Sequence, residues 1–505
     1  MNFYVYEIGE KYMKKNKKKI LLVVGSGGSI EMGFPSVATL NKKIENTLNN
    51  ENKKLYLLYI KIKKIINIIP YYTEEPFENN KRISKIKRVL MEIINEINDS
   101  KIRLKLKTFL KELSPMNNVS INKTMENIEK LKNEVEQIEN FQEKEKLDNL
   151  FEISFTNYEE IAYIILELYA LKSKYINYYF RGFVDIKKEF ENYAESDFKD
   201  LYKKIVEIVR KEITEKSLKY SNEKNTDFEK IKKFYLNLDK EFDVGIVTTN
   251  YDTFLFDLFS NKKISNKSEK YFYGFKKNGE FTKKGVLERK RWKFLYHLHG
   301  SIYNILTKKK FDTVIEWQKN LEKNEDAETY FSKTLRDGNK LMIPQSLVVG
   351  YGKQSQILYD PYKTFFAKLN DLVYQSCGVI FIGYGFNDIH LNAIFENYRG
   401  KEGKRVVVID KLYTKKNDKG EIEIVEEIRN DVNTQKKYNV FGFYCSDKLH
   451  EKNIDLERHT RIENSKIKKE DVLIKETIVL KTGLVRATEY FNEIKEFLNK
   501  EDMMI

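Results

Sequence analysis

The sequence predicts an α/β protein: a Rossmann-like parallel sheet, interrupted by a large helical insertion at 41–240 and followed by a C-terminal extension at 412–505. Three observations carry this reading. Short apolar runs rich in β-branched residues recur at 21–24, 244–247, 294–298, 379–382 and 406–409. Each of them ends in glycine or in small polar residues. Between the first two lies a long stretch whose apolar residues fall at helical spacing. Continuous apolar runs of this length, without alternation, are what strands buried on both faces look like, and in such sheets ligands collect just beyond the strand ends.

Taken in order, the run 21–24 leads into "GSGGSIEMGFP", where Gly25, Gly27 and Gly28 follow the strand directly. Leu40, Ile44 and Leu48 then mark one face of a helix, as do Ile205, Ile208, Val209 and Ile213 later. Inside the insertion, Asn157 followed by Glu159 and Glu160 reads as a helix start. The segment 122–148 reads as a charged helix with Ile128, Leu131, Val135 and Ile138 on one stripe, packed on a neighbour or on a partner. The second run leads to "VTTNYD", the third to "YHLHGS", the fourth to "GYGFNDIH" and the fifth to Asp410. A charged loop at 411–421 follows, and an amphipathic helix at 487–498 closes the pattern.

Composition narrows the function classes. The chain has 505 residues, 41% of them hydrophobic and 33% charged, which fits a folded protein with a heavily charged surface and argues against disorder. Lys and Arg outnumber Asp and Glu by 91 to 76, a formal charge of +15 that suits nucleic acid or a small anion as partner, although lysines occur along the whole length. The two cysteines, Cys377 and Cys445, stand too far apart in sequence to build a zinc knuckle or ribbon. The basic run at 14–19 precedes an apolar stretch too short for a secretory leader, and no run reaches the ~18 apolar residues of a membrane span, so a cytoplasmic protein without membrane contact is expected.

Each strand end has a functional and a structural reading. Gly25, Gly27 and Gly28 would let backbone N–H groups approach a phosphate, or would simply form a tight turn; Ile30 stands where the dinucleotide fingerprint needs its third glycine. Asn250 and Asp252 suit a ribose or a water, and equally suit capping of the next helix. His299 has the chemistry for proton transfer near neutrality, and a core histidine is the alternative. His297, two residues back, raises a metal reading that no third nearby ligand supports. Gly383 and Gly385 bracket a turn fit for a phosphate or ribose, or one capped by Asn387 or Asp388. Asp410 faces a ribose or merely ends its strand.

The order of these motifs, a glycine-rich turn with a following proline, then TTNYD, HGS, GYGFND and a last strand, resembles the sirtuin family, specifically its prokaryotic defence-associated branch. The resemblance implies that Gly25, Ser26, Gly27 and Ser29 hold the NAD diphosphate, and that Asn250 and Asp252 lie by the nicotinamide ribose. It further implies that His299 is the catalytic base and that Gly383, Tyr384 and Asp410 meet the adenosine half. The chain departs from the zinc-binding protein deacylases of that family, which carry four cysteines, so NAD is expected as substrate and no zinc is expected. Gly28 stands where many relatives carry a bulkier apolar residue. The implied activity is NAD hydrolysis to nicotinamide and ADP-ribose in antiphage defence, restrained through homo-oligomerisation, a partner ATPase or a phage-derived trigger. An NAD-dependent deacylase or ADP-ribosyltransferase is the alternative enzyme, and a non-catalytic NAD or nucleic-acid binding module the alternative of another class.

Overall fold

The structure is a computed structural model that describes residues 17–68, 192–219, 226–261, 270–309, 312–318, 346–349, 357–386, 388–396, 404–410, 477–480 and 483–499, with scattered positions elsewhere. All five predicted runs form strands: β1 (Lys19–Val24), β2 (Asp243–Thr248), β3 (Phe294–His297) and, after two hairpins, β8 (Gly378–Ile382) and β9 (Arg405–Ile409). The hairpins are β4 (Asn304–Lys309) with β5 (Asp312–Trp317), and β6 (Ser332–Thr334) with β7 (Lys340–Met342). Beyond β9 come β10 (Thr414–Lys416), β11 (Ile422–Ile424), β12 (Leu456–His459) and β13 (Thr477–Leu480).

Among the described residues, seven strands make the main sheet in the order β12-β13-β9-β8-β1-β2-β3, and of these only β12 runs antiparallel to its neighbour. From β1 the chain therefore builds outward through β2 and β3, then returns to the other side of β1 with β8, β9 and β13. That is the doubly wound arrangement, whose ligand crevice lies at the switch point, here between β1 and β8. The register keeps the strand ends level. Val24 pairs with Thr248 and with Ile382, Thr248 with His297, and Ile382 with Ile409. The residues that follow all five predicted runs consequently emerge along one edge.

The helices follow from their apolar stripes. After the short α1 (Gly27–Ile30), α2 (Val37–Glu51) starts at Ser36, whose hydroxyl accepts the Thr39 N–H at 3.2 Å, and buries the predicted Leu40, Ile44 and Leu48. It packs with α3 (Lys53–Ile68) and α4 (Glu195–Lys219), in which Ile205, Ile208, Val209 and Ile213 are buried. α5 (Thr226–Glu241) leads into β2. These four helices fall largely within 41–240, the predicted insertion. Its segment 122–148 and the proposed start at Asn157 lie outside the described residues, while Tyr158 and Glu159 are helical and the Tyr158 N–H donates to Asn41 Oδ1 at 2.7 Å.

Arg210 ties α4 to the sheet. Its guanidinium donates to the carbonyls of Ile302 (2.7 Å) and Asn304 (3.0 Å) and to Ser346 Oγ (2.8 Å), so a buried cation from α4 braces the chain just beyond the HGS motif. The remaining helices are α6 (Phe254–Phe259), α7 (Lys283–Leu287), α8 (Tyr362–Gln375), α9 (Ile389–Glu396), α10 (Leu484–Ala487) and α11 (Phe491–Asn499).

The structure differs from expectation after residue 411. Residues 414–416, read as loop, pair antiparallel with 422–424. β13 adds a parallel strand beside β9, and Ile494, Phe497 and Leu498 of α11 are buried in the main core, so residues 477–480 and 484–498 of the predicted extension pack with the sheet. The closing helix begins at Leu484, and a 3₁₀ turn at Thr488–Tyr490 separates α10 from α11. Glu31, just past the glycine-rich turn, accepts the Val485 N–H at 2.8 Å and so joins that turn to the closing segment. Among the described residues, no helix is long and apolar enough to cross a membrane.

Candidate active site

The two glycine turns at the switch point meet backbone to backbone. The Gly25 N–H donates to the Ile382 carbonyl at 2.9 Å and the Gly27 N–H to the Gly383 carbonyl at 3.0 Å. Gly383 has φ +55°, and a Cβ there would stand 2.1 Å from the Gly28 nitrogen and 2.2 Å from the Gly27 carbonyl carbon. Only glycine tolerates both that conformation and that approach. Gly28 has no room either, since a Cβ would meet Val24 Cγ1 at 2.9 Å. The N–H groups of Gly28 and Ser29 donate to the carbonyls of Gly25 and Ser26. The glycines expected to bare N–H groups to a phosphate therefore satisfy each other and the neighbouring turn, and the exposed Ser26 stands at the tip.

The same turn carries a polar chain into the TTNYD segment. Asn250 Nδ2 donates to the Gly25 carbonyl and to Ser29 Oγ, both at 2.9 Å, and Ser29 Oγ donates to Asp252 Oδ2 at 2.8 Å. Asp252 Oδ1 accepts the Phe254 N–H at 3.1 Å at the start of α6, so this carboxylate serves the helix start and the network together. Ser29, Asn250 and Asp252 are all buried. Burial raises the Asp252 carboxyl above its usual range, opposed by the hydrogen bonds from Ser29, Phe254 and Asn250.

His299 lies two residues past His297, as Asn250 lies two residues past Thr248, and His297 and Thr248 are register partners on adjacent strands. Amide and imidazole thus leave the sheet edge at the same level. Gly300, at φ +90°, turns the chain against the Ser346 carbonyl, and the His299 carbonyl accepts the Val348 N–H at 2.8 Å. The buried imidazole faces Asp388 at the start of α9, with Nε2 2.6 Å from Oδ2. Sequence reasoning treated Asp388 as a helix cap and missed this contact; 89 residues separate the pair, and nothing local announces it.

His297 has a different role. Its Nδ1 donates to the Asn250 carbonyl at 3.2 Å and steadies the TTNYD backbone. Burial lowers its pKa from the usual 6.5 to about 4. The folded state therefore favours the neutral ring, and its stability contribution, complete above pH 6.5, is lost as pH falls through 4, up to about 3 kcal/mol. Denaturant midpoints of the parent should fall between pH 6.5 and 4, and should fall less in His297→Gln; identical slopes would contradict this assignment.

Two further expected cofactor residues follow β8 and β9. Tyr384 is turned inward: its ring packs on Phe381 and Phe386, and its hydroxyl donates to Asn392 Oδ1 at 2.9 Å. What it can offer a ligand is backbone. Asp410 follows β9, with its N–H on the Leu480 carbonyl at 3.1 Å, and the Gly383 N–H bonds the adjacent Ile409 carbonyl. Asn387 lies outside the described residues, as does Cys445, and Cys377 is a free thiol. Among the described residues, no group of three or more His, Cys, Asp or Glu is placed to hold a metal ion.

The strand edge carries hydroxyls at Ser26 and Ser29, a carboxamide at Asn250, a carboxylate at Asp252 and an imidazole at His299, at the end where doubly wound sheets bind ligands. Residues 244–435 match the family model of the SIR2-like domain. The match starts within β2 and takes in TTNYD, HGS and GYGFND; β1 and the glycine turn precede it and join it through strand pairing and the Asn250 bonds. No curated protein matches the chain.

Proposed function

We propose that the chain, whose residues 244–435 match a SIR2-like domain, is a sirtuin-like NAD glycohydrolase releasing nicotinamide and ADP-ribose. The observation that carries this reading is the bonded series Asn250–Ser29–Asp252, set on the strand edge beside the level exit of His299. Breaking the bond between nicotinamide and ribose leaves positive charge on the sugar ring, as in glycoside hydrolysis.

The residues divide that work by chemistry. Asn250 orients the ribose or the attacking water. The buried Asp252 carboxylate offsets the developing positive charge, an attraction that a water-poor site strengthens. His299 accepts a proton from the ribose hydroxyl or the water. The Gly27 N–H, which donates to the Gly383 carbonyl here, changes partner if it is to serve a diphosphate.

Unrestrained NAD cleavage would drain a cell; the resemblance to the defence-associated branch supports a role in antiphage defence, with the activity held back by self-assembly or a partner ATPase until a phage-derived trigger acts. Native mass measurement should find resting protein in an assembly; a lone monomer of full activity would contradict this part of the proposal. Hydrolysis and deacylation separate on one point. Nicotinamide should appear from NAD without any acylated peptide, and release that depends on such a peptide would assign the chain to the deacylases instead.

A further inference from the structure

The buried Asp388 has two obligations. A carboxylate taken out of water is costly unless both oxygens are satisfied. Oδ1 accepts the N–H groups of His390 (3.0 Å) and Leu391 (3.1 Å) in the first turn of α9. Helix capping needs only that oxygen. Oδ2 faces His299 Nε2 at 2.6 Å, the length of a charge-assisted bond, with only 3% of the histidine side chain and 5% of the aspartate side chain exposed.

The turn that delivers Asp388 is braced for the purpose. Phe386 adopts φ +55°, a conformation costing a residue with a side chain about 1–2 kcal/mol, so the surroundings must enforce it. Asn392 does so from the second turn of α9: its Nδ2 donates to the Phe386 carbonyl at 2.8 Å and its Oδ1 accepts from the Tyr384 hydroxyl at 2.9 Å. The phenol of Tyr384, a residue that the family resemblance sets by the adenosine half, is part of this brace.

We propose that Asp388 is the positioning residue of His299: it fixes the ring, holds a proton on Nε2, and stabilises the imidazolium formed when His299 takes up a proton. The inference rests on the glycohydrolase reading for its kinetic consequence. In the step concerned, the O–H bond of the ribose hydroxyl or water breaks, and its proton goes to the ring nitrogen that does not face Asp388. The positive charge so formed is paired with the carboxylate at once. This is the division of labour by which a buried aspartate supports a catalytic histidine elsewhere.

Asp388→Asn separates the two obligations, because asparagine caps a helix as well as aspartate but carries no charge. With NAD as the probe, kcat should fall about 10²-fold, the low end of what a general base contributes, with KM within about twofold and the melting midpoint within a few degrees. The ¹⁵N imidazole spectrum of the full chain gives a readout independent of turnover. It contains five histidines, and His299→Gln identifies the relevant one. In the parent, His299 should carry its proton on Nε2, and that resonance should move in Asp388→Asn. Parent-like turnover in Asp388→Asn, an unmoved resonance, or a parent ring protonated on Nδ1 alone would each overturn the proposal. Should the parent release no nicotinamide, the glycohydrolase reading falls, and the resonance by itself still decides whether Asp388 holds His299.

Discussion

Gly383→Ala is expected to cost about 2–5 kcal/mol of stability and to abolish turnover, the sum of a strained left-handed backbone and a forced overlap. The overlap is with main chain, 2.1 Å from the Gly28 nitrogen and 2.2 Å from the Gly27 carbonyl carbon, so no side chain can swing away. Relief would have to come from parting the turns after β1 and β8. That breaks the Gly27 N–H bond to Gly383 and shifts Gly25, whose carbonyl receives Asn250 Nδ2. Gly33→Ala is the matched control. Gly33 has φ +83° with nothing within 4 Å of a built Cβ, so it should show the backbone strain of about 1–2 kcal/mol and no more. Equal melting midpoints for the two variants would contradict the packed switch point.

His299→Ala should lower nicotinamide release by 10²–10⁴-fold, the span of general-base contributions. The structure adds a second effect, on stability. Alanine leaves the Asp388 carboxylate buried without its imidazole, and removing one partner of a buried pair destabilises the folded state. His299→Gln retains an N–H donor for Asp388, so it should be the more stable of the two and comparably inactive. Initial rates and melting midpoints of both variants check this, and parent-like turnover in either would remove His299 from the chemistry.

The sheet was legible because its strands are buried on both faces. Continuous runs such as "LLVV" and "VVVI" have no other economical place in a chain with this much surface charge. β13 was not, since "TIVL" follows a long charged stretch, and a four-residue run there does not declare itself against such a background. Strand ends gave the candidate residues but not their contacts, which depend on register. That Val24 and Thr248 end level is what lets Asn250 reach Gly25 and Ser29 across the edge.

The glycines illustrate a different limit. Small residues after a strand mean that something approaches closely, and at Gly25, Gly27 and Gly28 the nearest thing is largely the Ile382–Tyr384 segment. A side chain's type likewise does not disclose its direction: Tyr384 turns inward to brace the turn carrying Asp388, and His297 holds backbone while His299, two residues on, faces a carboxylate.

Chromatography of NAD incubated with the full chain, with Asn250→Ala in parallel, tests the central claim most directly. Nicotinamide and ADP-ribose formed by the parent and lost in Asn250→Ala are the predicted outcome. Unchanged NAD in both samples, or equal cleavage in both, would contradict a catalytic site built on the edge of β1, β2 and β3.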